Sequence, residues 1–466
     1  MSWNIPETWQ MATLADVCYR IVDGSHNPPS GQASGKPMLS AKNIQNGKIH
    51  FDESRLLSDE DFEVENKRTS ISAGDVLLTI VGALGRTAVV PEVHKEFTLQ
   101  RSVAVLKPET INSSYLRYLL DSPVAQNFFL ENAKGTAQKG IYLKALGTMP
   151  APIAPLAEQT RIAQKLDELL AQVDTLKARI DAIPALLKRF RQSVLAAAVS
   201  GRLTEEWRAR SMRAEAKNGL HSPEQTAVSA SWFSFIHDEI ADVIDPHPSH
   251  RTPSEDLNGV PYIGIGDINK LGLIDFENSR KVSRSVLDEH RDRYSINDGD
   301  FIFGKIGTIG SATKVPAGGE YTISANVILV KPIREKVVPS YHFLFWCSPL
   351  ALEISAKGSK ATSQAAFGIK KMRKTELLYP PLDEQTEIVH RVEQLFAFAD
   401  QLEAKVASAK SRIDHLTQSI LAKAFRGELV PQDPNDEPAS LLLERIQAQR
   451  AAAPKAKAKR TRKASA

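Results

Sequence analysis

PLAEQTRIAQKLDELLAQVDTLKARI, residues 155–180, is echoed by PLDEQTEIVHRVEQLFAFADQLEAKV, residues 381–406. The offset is 226 residues throughout, and eleven of the 26 positions are identical. An echo of that length marks an internal duplication, which constrains the fold more than any single motif. The likeness continues from RFRQSVLAAAVSGRLT (189–204) to HLTQSILAKAFRGELV (415–430) at the same offset. Upstream it persists more weakly. SAGDVLLTIVGALGRT (72–87) matches NDGDFIFGKIGTIGSA (297–312), and PMLSAKNI (37–44) matches PYIGIGDI (261–268). Two copies of one scaffold diverge in this uneven way when their variable parts meet different targets.

Both quoted stretches open long helices. In the first, Ile162, Leu166, Leu169, Val173, Leu176, Ile180, Ile183, Leu187, Phe190 and Val194 alternate spacings of four and three. The second repeats the register with Ile388, Val392, Leu395, Ala399, Leu402, Val406, Ala409, Ile413, Leu416 and Ile420. This is a heptad seam, which asks for a helical partner. A rod of that length measures roughly 65 Å at 1.5 Å per residue. Because a globular segment separates the two helices, an antiparallel pair is the simplest arrangement; the alternative packs each helix on its own domain. Pro184 predicts a kink near residues 180–184. Pro155 and Pro381 precede the helices, and Gly201 and Gly427 end them.

The fold class that follows is α+β: two globular domains separated by two long helices forming an antiparallel coiled coil, with a pseudo-two-fold internal repeat. The expected segments are a first head (1–154), a first helical spacer (155–203), a polar linker (204–230), a second head (231–380), a second spacer (381–430) and a tail (431–466). VLLTIV (76–81) and SVAVLKP (102–108) read as strands, as do FIFGKI and NVILVKP in the second head.

The net charge of +4 hides an imbalance, because residues 445–466 hold eight Lys or Arg and no acid. The tail therefore reads as basic and disordered. The first 150 residues hold 15 basic and 16 acidic side chains, so nucleic-acid binding would depend on local patches. No apolar run is long enough to span a bilayer, no secretory signal is visible, and two distant cysteines suit a reducing compartment. The expected location is the cytoplasm, with no membrane partner.

Two related heads on a rigid spacer measure distance, and duplex DNA is the linear target with a fixed repeat. At this point the residues match a family. PLAEQTRIAQKLD and PLDEQTEIVHRVEQLFAFAD, with QSILAKAFRGELVPQDPNDEPASLLLERI, closely resemble the conserved regions of type I restriction-modification specificity subunits (HsdS), in particular the enterobacterial type IA group. The resemblance implies two target recognition domains, each reading half of a bipartite, asymmetric DNA sequence, held apart by the helices. It implies a noncatalytic chain that binds no cofactor. Two modification subunits would supply S-adenosylmethionine chemistry, and two restriction subunits would use ATP and Mg. The other reading of the pattern is a coiled-coil scaffold whose heads bind proteins.

Catalytic motifs are not apparent. HNPPS (26–30) resembles the NPP of adenine methyltransferases but lacks the following aromatic ring, so a Pro-rich turn accounts for it better. GALGRT and GKIGTIG fail the P-loop order; each is either a DNA-approaching loop or a strand-connecting turn. Polar residues in loop-like segments are the candidate DNA contacts, since Arg clasps guanine and Asn or Gln clasps adenine. In the first head these are Ser25, His26, Asn27, Lys42, Asn43, Arg86, Arg101, Thr136, Gln138 and Lys139. In the second they are His250, Arg251, Asp267, Lys305, Thr308, Asn326, Thr362 and Gln364. Ser25, His26 and Asn27 align at constant offset with Ser249, His250 and Arg251. The alternative reading for each is a solvated loop residue, or a phosphate contact that does not specify sequence.

Overall fold

The computed structural model describes residues 5–135, 138–217, 232–247, 249, 251–269, 272–305, 312–358 and 367–452. The chain forms two compact units, one of residues 1–181 with 408–466, the other of residues 182–407. Each unit holds one head and half of each long helix. The helices run Leu156–Val199 and Leu382–Ala424. The first continues through Pro184.

Within each unit the early half of one helix packs on the late half of the other. In the first unit, Ile162 and Leu166 share a core with Leu421, Ala424 and Phe425. Lys177 pairs with Asp414 at 3.3 Å and Asp181 with Lys410 at 2.6 Å. In the second unit, Val194, Leu195 and Ala198 share a core with Ile388 and Val392. Arg191 reaches Asp400 at 2.7 Å and Glu403 at 2.8 Å. Within each unit the pairing is therefore antiparallel, the simplest arrangement for this connectivity.

The two heads are built on one plan. In the first, strands Cys18–Asp23, Val103–Pro108, Val76–Thr79 and Thr87–Val89 lie side by side in that order. In the second, Ala241–Ile244, Val327–Pro332, Phe301–Gly304 and Ala312–Lys314 do the same. A smaller three-stranded sheet is also repeated, around Lys36–Leu39 and Glu255–Ile263. The Gly-Asp pair of the SAGD and NDGD stretches explains part of the shared pattern. Gly74 (φ +82°) and Gly299 (φ +92°) take the left-handed turn that L side chains avoid. The following Asp75 accepts Ser72 N–H at 2.8 Å and meets the buried Lys107 ammonium at 2.5 Å. Asp300 likewise accepts Asn297 N–H at 2.8 Å and meets Lys331 at 2.5 Å. Each lysine also donates to a backbone carbonyl, Ser70 at 2.8 Å or Ser295 at 2.6 Å. A buried ion pair persists only with such full satisfaction.

The repeated Glu-Gln of the opening stretches has a structural reason. Gln159 accepts the N–H of Asn112 at 3.0 Å and donates to the Ala154 carbonyl at 2.8 Å. Gln385 does the same to Val338 (2.8 Å) and Pro380 (2.8 Å). One side chain thus ties the helix start to its head. Glu158 accepts the indole N–H of Trp9 at 2.9 Å and the amide of Gln432 at 2.6 Å. Glu384 accepts Trp232 at 3.2 Å, Thr204 at 2.7 Å and the Arg208 guanidinium. Burial raises the Glu158 carboxyl above its ordinary range, opposed by the hydrogen bonds from Trp9 and Gln432.

Three expectations change. The polar stretch expected as a linker begins with a helix, Glu205–Lys217, whose Arg208 is buried against Glu384. The segment expected as a disordered tail contains a helix, Ala439–Ala452, which buries Leu442, Leu443 and Ile446 in the first head's core. Arg161 fastens this segment by pairing with Asp436 at 2.6 Å. Both elements were disguised by composition, because their order comes from partners distant in sequence. Finally, Leu176 is not a closed seam position: it stays 46% exposed while Leu166 is fully buried. Ile162, Val173, Ile388, Val392 and Ile413 are buried; Leu169, Ile180, Leu395, Leu402 and Val406 are half-buried. Linker residues 218–230, the first residue of the second head and tail residues 453–466 lie outside the described residues.

Candidate nucleic-acid interface

In the first head, a cleft of about 540 Å³ opens where five chain segments converge. The strand Cys18–Asp23 ends at its floor. The Asp23 carboxylate takes His26 Nε2 at 2.7 Å and Arg68 Nη2 at 2.5 Å. Arg68 comes from the end of the helix Asp59–Thr69, and its Nε donates to the Asp23 carbonyl at 2.9 Å. The guanidinium is fixed on one edge and about half exposed. Such a pre-positioned fork suits phosphate or a guanine edge. Arg101 is placed by its own N–H, which donates to the Ser25 carbonyl at 2.8 Å, and its side chain is exposed.

The far wall is the segment after the helix Pro123–Asn132. Lys134 and Gly140 exchange two backbone hydrogen bonds, at 2.8 and 2.9 Å, closing a loop that holds Gln138 and Lys139. This loop is tied to the GALGRT turn, since Gly82 N–H donates to the Lys139 carbonyl at 3.2 Å. Thr79 shapes that turn by accepting Arg86 N–H at 2.8 Å, leaving the Arg86 side chain exposed. Lys134, Gln138, Lys144 and Tyr142 complete the cleft, and Tyr142 is 67% exposed. The set is rich in donors of positive charge, with one exposed aromatic face able to stack.

The structure brings together His26, Arg101 and Gln138 among the expected residues. It sets others apart. Ser25 is buried and works through its backbone, accepting from Arg101 and donating to Leu99 at 2.7 Å. Asn43 is buried, with its amide committed: it accepts Ser40 N–H at 3.0 Å and donates to His50 and Asp52 carbonyls at 3.0 Å each. It is a turn residue and has no group left for a base. Asp267 holds the matching turn in the second head through Gly264 N–H at 2.8 Å. Lys42 faces Glu53 at 3.6 Å and, like the exposed Asn27, is not in the cleft lining. Thr136 lies outside the described residues. Arg68, Lys134, Tyr142 and Lys144 were missed; Arg68 sits on a charged helix end that looks solvated in sequence.

In the second head, a cavity of about 400 Å³ is lined by Tyr262, Asp267, Arg280, Lys305 and Asn326, among others. Lys305 lies 3.8 Å from Asp245. Asn326 is largely structural, accepting Ser324 Oγ at 2.5 Å and Ile265 N–H at 3.3 Å. Its first-head counterpart is Ser102, which accepts Ala41 N–H at 3.1 Å. Arg251 is exposed. His250, Thr308, Thr362 and Gln364 lie outside the described residues. Strand register matches one more pair. Ile244 faces Leu329 as Val22 faces Val105, so Asp245 stands where Asp23 does.

Among the described residues no group of three or more His, Cys, Asp or Glu gathers to hold a metal. Burial pushes both thiols, Cys18 and Cys347, up to about 12. No described helix is long and apolar enough to cross a membrane.

Comparison with known proteins agrees with this doubled plan. The type I restriction modification DNA specificity domain matches residues 6–185 and again 238–409. The EcoKI specificity subunit of Escherichia coli K12 is 32% identical over 484 residues, covering 98% of each chain. The EcoBI specificity subunit of Escherichia coli is 36% identical over 340 residues, 71% of this chain and 70% of that one. Among solved structures, the HsdS subunit of Thermoanaerobacter tengcongensis aligns with a TM-score of 0.55 at 20% identity, covering 91% of this chain and 98% of its own. A chain from a structure of type I R-M complex assembly gives 0.59 at 18%, covering 92% and 100%.

Proposed function

The chain belongs to the specificity-subunit family of type I restriction-modification enzymes, and from that premise we propose that its two heads read the two halves of a split, asymmetric DNA sequence. Its role is DNA sequence specificity within a complex, and it is not itself the catalyst. The observation that carries the split-site reading is the doubling with divergence. One scaffold presents Arg68, Arg101 and Gln138 in the first head, and Arg280 and Lys305 in the second. Different donor sets on matching frames suit different half-sites. The paired helices would set the gap between them.

The partners are DNA and the other subunits of the system. Two modification subunits carrying S-adenosylmethionine and, where present, two restriction subunits using ATP and Mg complete the proposed assembly, in the cytoplasm. Within it, Arg101 and Gln138 contact bases in the first half-site. Arg86 on the neighbouring turn and Lys139 beside Gln138 in its loop flank them and contact phosphate.

The test is methylation sequencing of the genome with and without this gene. Loss of adenine methylation from one split motif is the expected result; no lost motif from an active system sinks the reading. Arg101→Ala or Gln138→Ala should then cut methylation about 10- to 100-fold, corresponding to roughly 1–3 kcal/mol per base contact, with tolerance relaxed in one half only. Equal relaxation in both halves would remove the assignment of the first head.

A further inference from the structure

One guanidinium in the first head's cleft is locked on one edge and open on the other. Arg68 Nε donates to the Asp23 carbonyl at 2.9 Å, and Nη2 donates to the Asp23 carboxylate at 2.5 Å. Arg20 Nη2 donates to the Arg68 carbonyl at 2.6 Å, which fastens the backbone at the helix end. Asp23 is itself buried, and its other oxygen takes His26 Nε2 at 2.7 Å. A carboxylate only accepts, so that ring nitrogen is a donor. It therefore offers nothing to Arg68 Nη2, which lies 3.5 Å away. Both hydrogens of Nη1 and one of Nη2 are left, side by side in one plane, on a side chain about half exposed at the cleft.

That open edge can make two parallel hydrogen bonds. Two groups in DNA match it: a pair of phosphate oxygens, or O6 and N7 of guanine. Charge decides between them. A phosphate contact gains its affinity by neutralising charge and releasing counterions. Asp23 already neutralises Arg68, so the pair brings no net charge to a phosphate. What the carboxylate adds is direction, and direction is what a base edge demands. The second head does not repeat the device. Asp245 stands where Asp23 does, and there Lys305 lies 3.8 Å away. An ammonium is a point charge without a planar fork.

We propose that Arg68 is a specificity-determining residue that reads a guanine of the first head's half-site from the major groove, with Asp23 as the residue that positions it. This rests on the DNA-reading role proposed above and gives that role a base. Arg68 recognises O6 and N7 together, so removing either acceptor from the right guanine should be felt only while the fork is present.

The experiment uses the full chain in complex with its modification partner and the motif found by methylation sequencing. Each guanine of the motif is replaced in turn by 7-deazaguanine, which removes the N7 acceptor and keeps the base pair. At one guanine, in the half that Gln138→Ala relaxes, the replacement should weaken wild-type binding about 10-fold. The double variant Asp23→Asn with Arg68→Met strands no buried charge. It should bind the natural duplex about 10- to 100-fold more weakly and be indifferent to 7-deazaguanine at that position. Asp23→Asn alone should reduce discrimination of guanine from adenine there by about 10-fold. Its affinity for random duplex should rise, because a negative charge leaves the cleft; a merely structural residue would lower both. No sensitive guanine in that half of the wild-type site, or a penalty undiminished in the double variant, overturns the proposal. So does coupling of the double variant to a methylphosphonate in place of a flanking phosphate, which would make Arg68 a phosphate contact. Equal losses on specific and random duplex in Asp23→Asn overturn the positioning role. If the wild-type complex prefers its split motif and no guanine couples to Arg68, only this proposal fails. If it prefers no motif, the DNA-reading role itself fails.

Discussion

At matching places the two heads fill their cores with different chemistry. The first packs Leu14, Leu116, Leu146 and Ile153, all fully buried. The second, on the same helices and strand, places His237, His342, Met372 and Tyr379 there, also fully buried. The polar set is satisfied by a directed chain. Tyr379 O–H lies 2.8 Å from His342 Nδ1, His342 Nε2 lies 3.0 Å from His237 Nε2, and His237 Nδ1 lies 3.1 Å from the Met372 carbonyl. The carbonyl can only accept, so His237 donates from Nδ1, His342 donates from Nε2, and the tyrosine donates to His342. Each ring then carries one proton and every buried nitrogen is used. A second proton on His237 sets two N–H groups face to face, and one on His342 forces the Tyr379 hydroxyl to turn from donor to acceptor. The same scaffold thus tolerates a dry solution and a hydrogen-bonded one, but only the second is sensitive to protons.

The comparison sharpens first where the heads agree. Lys107 with Asp75 is a buried pair, and Lys331 with Asp300 is its equivalent with a partly exposed lysine. Lys107→Met should cost the first head about 3–5 kcal/mol, because Asp75 is left charged and buried. Lys331→Met should cost the second head a similar amount. Domain-resolved unfolding by pulse proteolysis checks this. A loss below about 1 kcal/mol in one head would show that the pairs are not equivalent.

Next come the places where they differ. His342→Leu installs the first head's residue type but strands His237 Nε2 and the Tyr379 hydroxyl. A loss of about 2–4 kcal/mol confined to the second head is expected. Adding His237→Leu and Tyr379→Phe should recover much of it, since an apolar set needs no partners. If the triple variant is worse than the single one, the chain contributes more than satisfaction of its own atoms.

Acid provides the third contrast. Burial pulls His237 down to about 4, and burial with the neighbouring His237 holds His342 well below its ordinary value. His290, also in the second head, is brought to about 4 by burial and the facing His247. An unfolded histidine titrates near 6.5. Between these values the unfolded chain binds more protons, so stability is complete above about 6.5 and falls as pH drops toward 4. The loss is on the order of 3 kcal/mol for His237 alone. The second head should therefore open before the first between pH 6 and 4.5, and the triple variant should shrink that difference. Both heads opening at one pH would refute the account.

How much of this was legible depended on where the partners lie. The doubled Pro-Leu-x-Glu-Gln stretch revealed the repeat because one Gln performs the same two hydrogen bonds in each copy. The helices were legible because a heptad seam is a local pattern. Asn43 was misread because an Asn in a loop looks the same whether it faces solvent or closes a turn. Arg68 was overlooked because its meaning comes from Asp23, 45 residues away. The Ala439–Ala452 helix looked like tail because its burial is supplied by the first head.

The smallest effect tests the helices themselves. A seam predicts equal weight along its length, whereas the structure buries its positions unequally. Leu166 is fully buried in a core that includes head residues, and Leu176, ten residues on, is 46% exposed. Leu166→Ala should cost about 3 kcal/mol, as a filled core site does. Leu176→Ala should cost under about 1 kcal/mol, since it surrenders little buried area and leaves no closed cavity. Equal losses at the two positions would mean that the middle of the rod is covered in the working protein. Measuring the pair with and without the modification partner separates the cases: protection that appears at Leu176 only in the complex would come from the partner, not from the opposing helix.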